Sequence, residues 1–392
     1  MGEANLRVAL VGAGIGGLGA ALVLRRAGLQ VEVYEQAAEL SEVGAGIHLA
    51  PNGSRVLHRL GLEPRLREVA AQPQALQVRL WDRGVTVARQ PMGAAWAAEF
   101  GAPHYTLHRA DLHRILAEQV PAESVHLNHR CTGFAEDEQG VRIDFADGSS
   151  AHADVLVGAD GVHSVIRQAL AGSEQPQFAG TAALRGVVPA ELVPELAVED
   201  MYVWTGPSAR LLVCPVQGGR GLAFVAVVPD SGDLRDSWSR QGDPAALAAA
   251  FADWEPTVRT LLGAATEAGH WSLYDREPLA RWSTGRSTLL GDAAHPMLPH
   301  YGQGASQALE DAVALAACLG ERTAGPAGIA AALRRYQELR LEHTTRVRGE
   351  ALTGGSQRLG GRKEGEMSAM VEDIAWVQRY DVEQALAPAA AR

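Results

Sequence analysis

Apolar and polar positions change period several times along this chain, and each change marks an element. Residues 7–11 form an apolar strand, 12–17 a glycine turn, 18–26 an apolar helix and 31–34 an alternating second strand, together a strand-turn-helix-strand unit. A glycine-rich extended piece spans 44–51, and Asn52 is placed to cap a helix through Val56, Leu57 and Leu60. Residues 76–90 alternate as a hairpin turning at Arg83 and Gly84, while Leu112, Ile115 and Leu116 give 109–119 one helical face. Residues 125–147 read as two antiparallel strands joined through 136–140 and closed at Asp147-Gly148, followed by a buried strand at 155–159. From 182 to 228 the runs lengthen, and strands at 201–204, 211–216 and 222–228 predict a second sheet. Helices at 244–254 and 256–265 follow, then a return strand at 288–290, a loop over 291–305, a helix through Leu319 and further helices.

This order predicts an α/β fold: a Rossmann-like nucleotide domain interrupted by a second, mixed-sheet domain and followed by C-terminal helices. The first domain is expected over 1–75, 103–178 and 288–345, the second over 76–102 and 179–287, and the C-terminal helical segment over 346–392.

Composition narrows the class. The chain has 392 residues, 47% of them hydrophobic, which excludes disorder throughout. Net charge is −11, and Lys363 is the only lysine among 35 basic residues, so anions must be met by guanidinium groups, histidines and backbone amides. No basic stripe suits a nucleic acid, and no apolar run is long enough to span a membrane, since residues 8–24 are interrupted by glycines. Cys131, Cys214 and Cys318 have no metal-ligand spacing and cannot all pair, which fits a reducing, cytoplasmic setting. The arginine-rich stretch 334–348 is expected to be solvated or to face a second subunit, so the chain is read as a monomer or homodimer.

Gly12-Ala13-Gly14-Ile15-Gly16-Gly17 follows a strand and opens a helix, and Glu35 ends the second strand where a carboxylate can accept ribose hydroxyls. These features suit either NAD or FAD. Two later motifs each end a predicted strand: Gly158-Ala159-Asp160-Gly161-Val162-His163-Ser164, with Arg167 one turn on, and Gly291-Asp292-Ala293-Ala294-His295-Pro296. With this ordered set the sequence resembles the single-component FAD-dependent aromatic hydroxylases of the p-hydroxybenzoate hydroxylase fold. Residues 44–52 and 372–381 look most like the 6-hydroxynicotinate 3-monooxygenase and salicylate hydroxylase branch.

The resemblance implies a Rossmann-like FAD-binding domain and places Gly12, Gly14, Ile15, Gly17, Glu35, Gln36, Gly46, Ile47 and Arg109 along the cofactor. It assigns Asp160 and Gly161 to the pyrophosphate and to NAD(P)H use, and Asp292 to the ribityl chain. Pro299, Gly302, Gly304 and Ala305 would run past the isoalloxazine. No second nucleotide motif appears, and Gly218 to Gly221 read as a hairpin turn, so no dedicated nicotinamide domain is expected, and the resemblance implies NADH or NADPH as a transient cosubstrate. The implied reaction is ring hydroxylation by NAD(P)H and O2 through a flavin C4a-hydroperoxide, with or without decarboxylation, on a hydroxylated benzoate or pyridine carboxylate.

His48 and His300 fall in segments expected to line the ring pocket, where a neutral imidazole can take a phenol proton; a hydrogen-bonded structural role is the alternative for each. His295 reads as structural. Tyr301 joins the candidate catalytic set, although it, Tyr105 and Met201 also suit pocket wall or core. Arg210 is a candidate clamp for a substrate carboxylate or, alternatively, a solvated strand end. Met201, Arg210 and Cys214 stand where the nicotinate branch has Cys, His and Tyr. An FAD oxidase, dehydrogenase or halogenase, and a flavin-holding sensor without catalysis, are the competing functions.

Overall fold

The computed structural model describes residues 6–40, 45–172, 176–230, 240–322, 325–353 and 375–387. Gly44, Lys363 and the 372–374 portion of the C-terminal motif lie outside them.

Arg7–Val11 is the middle of a five-stranded sheet in the order Ser287–Leu289, Val155–Gly158, Arg7–Val11, Gln30–Tyr34, Val125–His126, and every pairing is parallel. Val8 to Val11 are all buried, as a strand covered on both faces requires. Helix Ile15–Arg26 begins three residues before its expected start at Leu18 because the glycines there serve packing. A side chain at Gly16 would come within 3.1 Å of Ala308, and one at Gly19 within 2.7 Å of Leu309, both on helix Gly304–Gly320.

Residues 125–147 divide differently from the expected strand pair. Val125–His126 joins the parallel sheet beside Gln30–Tyr34, while Cys131–Glu136 and Val141–Phe145 pair antiparallel and gain Ser150–Ala153 as a third strand.

The second sheet has eight strands, in the order Arg240–Gly242, Ala268–Asp275, Gln177–Pro189, Gly221–Pro229, Arg210–Val216, Asp200–Thr205, Ala75–Leu80, Thr86–Pro91. The hairpin expected at 76–90 is therefore its far edge, attached through a parallel pairing of Ala75–Leu80 with Asp200–Thr205. Gln177–Pro189 and Ala268–Asp275 have no counterpart among the expected elements: their alanines, glycines and polar residues carry little β-branched or alternating signal, and tertiary pairing supplies the order.

A two-stranded ribbon, Gly46–Leu49 with Tyr105–His108, lies where the sheets meet. The helix after it is Pro51–Arg59, capped by Ala50 rather than Asn52, because Pro51 takes its first turn. Asn52 thus sits inside the helix with its amide free to bond elsewhere. At the other end of the chain, Arg59 pairs with Asp381 at 2.6 Å, and Arg55 donates to the carbonyls of Gln378 and Tyr380, which pins the described C-terminal helices to Pro51–Arg59. Within 334–348, Arg340 is fully buried and Arg348 pairs with Asp275, so these two arginines are internal rather than solvated. No helix among the described residues is long and apolar enough to cross a membrane.

Candidate active site

The first nucleotide turn is fixed by backbone crowding. Gly12 has φ +104° and a side chain there would lie 2.5 Å from the Ala159 carbonyl oxygen, so only glycine lets the turn touch the neighbouring strand end. Gly14 is the N-cap of Ile15–Arg26 and makes no side-chain cap, and nothing lies within 4 Å of its missing Cβ. The helix therefore presents unsatisfied backbone amides to open space, which is an anion site. Glu35 accepts from the Ala13 amide at 2.8 Å through Oε2 and from the Ala37 amide at 2.8 Å through Oε1. Each oxygen keeps a lone pair, and Gln36 is exposed beside it.

Asp160 turns inward. Its Oδ2 accepts from the amides of Val165 at 2.8 Å and Ile166 at 3.3 Å, so it caps helix Val165–Ala171, while Oδ1 has no partner; burial raises its pKa against these hydrogen bonds. Gly161 follows at φ +73°. Buried Arg167 donates to the carbonyls of Ala294 at 2.9 Å and Glu277 at 3.1 Å, tying this motif to the one at 291–296.

Asp292 lies deep in the fold yet its side chain is open to the cleft. Burial pushes its carboxyl up, His295, Arg109 and Arg185 pull it down, and Asp311 opposes them. A Cβ at Gly304 would lie 3.6 Å from Asp292 Oδ1, so this carboxylate borders the start of helix Gly304–Gly320, with Ala305 its second residue. Pro299–Tyr301 forms a short turn that ends at Gly302 in the left-handed region, φ +58°. An open helix N-terminus, a carboxylate with spare lone pairs at the second strand and an open carboxylate at a second helix N-terminus are the donors and acceptors that a pyrophosphate, an adenosine ribose and a ribityl chain need. The residues fit FAD.

Opposite this cleft, Gly46 lets the ribbon press against the second sheet, since a Cβ there would overlap Ala223 and lie 3.4 Å from Cys214 Sγ. His48, two residues on, faces the same way; half-buried Ile47 faces the other. A side chain at Gly302 would overlap the His48 imidazole at Nε2, so that ring lies directly on the loop. Burial, then the charge of Arg210, lowers both His48 and His300 to about 4. Arg210 opens its strand facing inward, not into solvent: Nη1 is buried without a partner, and no carboxylate pairs with the guanidinium among the described residues. Burial lowers its pKa, and the Tyr301 phenol opposes this. The structure thus brings His48, His300, Tyr301 and Arg210 together, with Met201 and Cys214 in an apolar cluster alongside. Tyr105 is core, its hydroxyl bonded to His58 at 3.0 Å.

Sequence reading missed three features. His104 is buried, stacks on His48 at 5.3 Å and has no partner on either ring nitrogen; only its position after Pro103 marks it. Arg185, a single cation in an apolar run, lies over the Trp271 ring at 5.3 Å, and burial, then the charge of Arg109, lowers its pKa to about 10 against the pull of Asp292. Beneath the loop lies a polar network whose signal is the adjacent pair Glu310-Asp311 on an otherwise apolar helix. Asp311 accepts from Arg340 Nε at 2.7 Å and from the Gly291 amide at 3.0 Å, and its Oδ2 lies 2.6 Å from His295 Nε2, so His295 is structural as expected. Arg340 also meets Glu310 at 2.8 Å, and Asn52 Nδ2 bridges Glu310 at 2.7 Å and Gln303 at 3.0 Å. Burial lifts Glu310 to about 7 despite Arg340, whereas Asp311 is held far below the usual carboxylate range by His295 and Arg340.

Removing one partner from such a pair leaves an uncompensated buried charge, which costs about 3–5 kcal/mol. Arg340→Met is therefore expected to lower the melting temperature by roughly 5–15 °C, with thermal denaturation as the measurement. An unchanged melting temperature would mean that the network is dispensable.

The chain matches the FAD-binding domain family over residues 5–351. It is 42% identical over 385 residues to the 3-amino-4-hydroxybenzoate 2-monooxygenase PtmB3 of Streptomyces platensis, with 96% of each chain covered. It is 41% identical over 344 residues to a 6-hydroxynicotinate 3-monooxygenase of Bordetella bronchiseptica, covering 87% of this chain and 89% of that one. A solved salicylate hydroxylase substrate complex is similar with TM-score 0.85 and 28% identity over 98% of each chain.

Proposed function

The chain belongs to the FAD-binding family of aromatic-ring monooxygenases, and we propose that its own substrate is a hydroxybenzoate with a ring amino group and a free carboxylate, held by that carboxylate at Arg210. The protein is an FAD-dependent enzyme that uses NAD(P)H and O2 to hydroxylate an aromatic ring. Bound FAD supplies what no side chain can, acceptance of a hydride from NAD(P)H and activation of oxygen.

The observation that carries the substrate reading is Arg210, a desolvated guanidinium with no carboxylate partner among the described residues. A buried charge needs a partner, and a planar fork suits a carboxylate. An anchored carboxylate favours a product that keeps it, as in hydroxylation of a carbon bearing hydrogen. The second reading, a hydroxypyridine carboxylate that loses carbon dioxide, draws on the 6-hydroxynicotinate relative.

In the proposed arrangement Glu35 accepts the adenosine ribose hydroxyls, the amides at Gly14 and Ile15 receive the pyrophosphate, and Asp292 accepts from the ribityl chain. Arg109 lies beside Asp292, and the loop Pro299 to Ala305 lines the flavin ring. Neutral His48 or His300, too weak a base at about 4 to take the phenol proton outright, accepts a hydrogen bond from the ring hydroxyl on a free ring nitrogen, which makes the ring more electron-rich. Met201, Leu212 and Cys214 exclude water. The buried, unpaired cysteines suit the reducing cytoplasm expected for a monomer or homodimer.

Turnover of aminohydroxybenzoates, hydroxybenzoates and hydroxypyridine carboxylates, followed by NAD(P)H oxidation and product mass spectrometry, tests this reading. A product heavier by one oxygen with its carboxylate intact is expected; carbon dioxide release would favour the second reading. Flavin reduction is expected to accelerate when the preferred ring is bound, and stopped-flow rates that ignore the ring would point to an oxidase or dehydrogenase instead.

Burial also sets an acid limit. His48 and His300 titrate near 4 in the fold and near 6.5 when unfolded, so below about pH 6.5 the unfolded chain binds more protons. Their contribution is fully present above pH 6.5 and is lost as pH falls toward 4. Melting temperatures should drop across that window, and His300→Gln should flatten part of the drop.

A further inference from the structure

His48 lacks the anchor that orients most working histidines. Such a ring turns one nitrogen to its substrate and is held at the other by a hydrogen bond, commonly to a carboxylate or a backbone carbonyl. Nδ1 of His48 is buried and bonds to no protein group among the described residues. The opposite edge of the ring is crowded: a side chain at Gly302 would overlap both Nε2 and Cε1, so this edge abuts the flavin loop. No protein hydrogen bond at Nδ1 therefore fixes the plane of the ring.

What meets the ring is a second imidazole. His104 lies against His48 with ring centroids 5.3 Å apart and planes 14° from parallel. The ribbon puts them together: His48 pairs with Thr106, and His104, two residues before Thr106, falls on the same face as its diagonal neighbour. That face is pressed on the substrate sheet, where Thr106 Oγ1 donates to the Pro215 carbonyl at 2.6 Å. On the other face Tyr105 is fully buried and bonded to His58 at 3.0 Å, which clamps the backbone that carries His104. In two nearly parallel rings every N–H and lone pair lies in its own ring plane, so the two imidazoles cannot hydrogen-bond to each other. Both His104 nitrogens are buried without a partner among the described residues, and burial keeps the ring neutral. An imidazole in that state offers its neighbour a flat face and nothing else.

We propose that His104 is a positioning residue for His48: stacked on it from the same ribbon, it fixes the plane of the His48 ring against the loop at Gly302, and with it the direction from which His48 meets the substrate's ring hydroxyl. The inference rests on the reading of His48 as a residue of the ring pocket. The role asks for a flat uncharged face, not for a nitrogen. Phenylalanine at position 104 supplies such a face and leaves no buried donor or acceptor unpaired, whereas leucine supplies bulk without a plane and lets the His48 ring turn.

The test reads the FAD-loaded protein in two ways. In carbon-13 spectra of histidine-labelled protein without substrate, the His48 ring signal, assigned by its loss in His48→Gln, is expected to be single and shifted upfield by the stacked ring. It should remain so in His104→Phe, and should move downfield and broaden in His104→Leu, or in His104→Gln if the leucine variant does not fold. With 3-amino-4-hydroxybenzoate as the probe, His104→Leu is expected to lower kcat and the product formed per NAD(P)H oxidised about tenfold, the scale of one aromatic contact, with KM little changed. His104→Phe should restore both to within about twofold of the wild type, and in a His48→Gln background His104→Leu should add little further loss. An unmoved His48 signal in His104→Leu, a loss in His104→Phe as large as in His104→Leu, or an undiminished loss in the His48→Gln background each overturns the proposal. His48→Gln with wild-type coupling would instead remove the pocket reading of His48 on which it rests, and the spectra, taken without substrate, tell the two failures apart.

Discussion

Arg210→Gln is expected to lower kcat/KM for a carboxylate-bearing ring about 10²- to 10³-fold while FAD stays bound. The size follows from the setting: truncating one partner of a desolvated, hydrogen-bonded charge pair costs about 2–5 kcal/mol, and every 1.4 kcal/mol is tenfold. Glutamine keeps much of the length and some donors but not the charge, so the loss should appear mainly as weaker binding of the carboxylate. The check is steady-state kinetics on matched pairs, a benzoate against its carboxamide. The wild type should prefer the benzoate strongly and the variant much less. An equal loss on both compounds would mean that Arg210 shapes the pocket without reading the carboxylate.

Gly302→Ala is expected to reduce coupled hydroxylation at least 10²-fold. Two effects coincide. Alanine at φ +58° costs on the order of 1–2 kcal/mol, and its methyl would occupy space held by the His48 imidazole. Either the loop lifts or the ring turns away, and both separate His48 from the flavin-facing edge. Small displacements at a reacting centre are expensive, about 10² for 1 Å. NAD(P)H oxidation should persist with peroxide as product, measured by catalase-sensitive oxygen uptake. Retained coupling in Gly302→Ala would show that neither the loop position nor His48 governs oxygenation.

How much of the site was visible beforehand depends on whether a residue's role is local. Glu35, Asp160 and Asp292 each stand at the end of a predicted strand, where one backbone turn fixes both position and exposure, and the structure finds each carboxylate beside a strand or helix end. Arg210 carried two readings because a strand's first residue can face either way. Register with Val227 and packing against the loop decided it. Arg185 and His104 gave no local signal, since Arg185 meets Trp271 more than 80 residues away and His104 meets His48 in a ring stack.

The sequence by itself determined the α/β order and the nucleotide turn, because these depend on hydrophobic period and on glycines at fixed offsets, while the chemistry of the cleft was legible only through the resemblance to the aromatic hydroxylases. Tertiary structure alone decided where the charges went. The Asp311, Glu310 and Arg340 network, the burial that keeps His48 and His300 neutral, and the stacking of Arg185 on Trp271 all arise from groups far apart in the chain. Desolvation and the sign of the nearest charge set a side chain's protonation, and neither can be read until the sheets are packed.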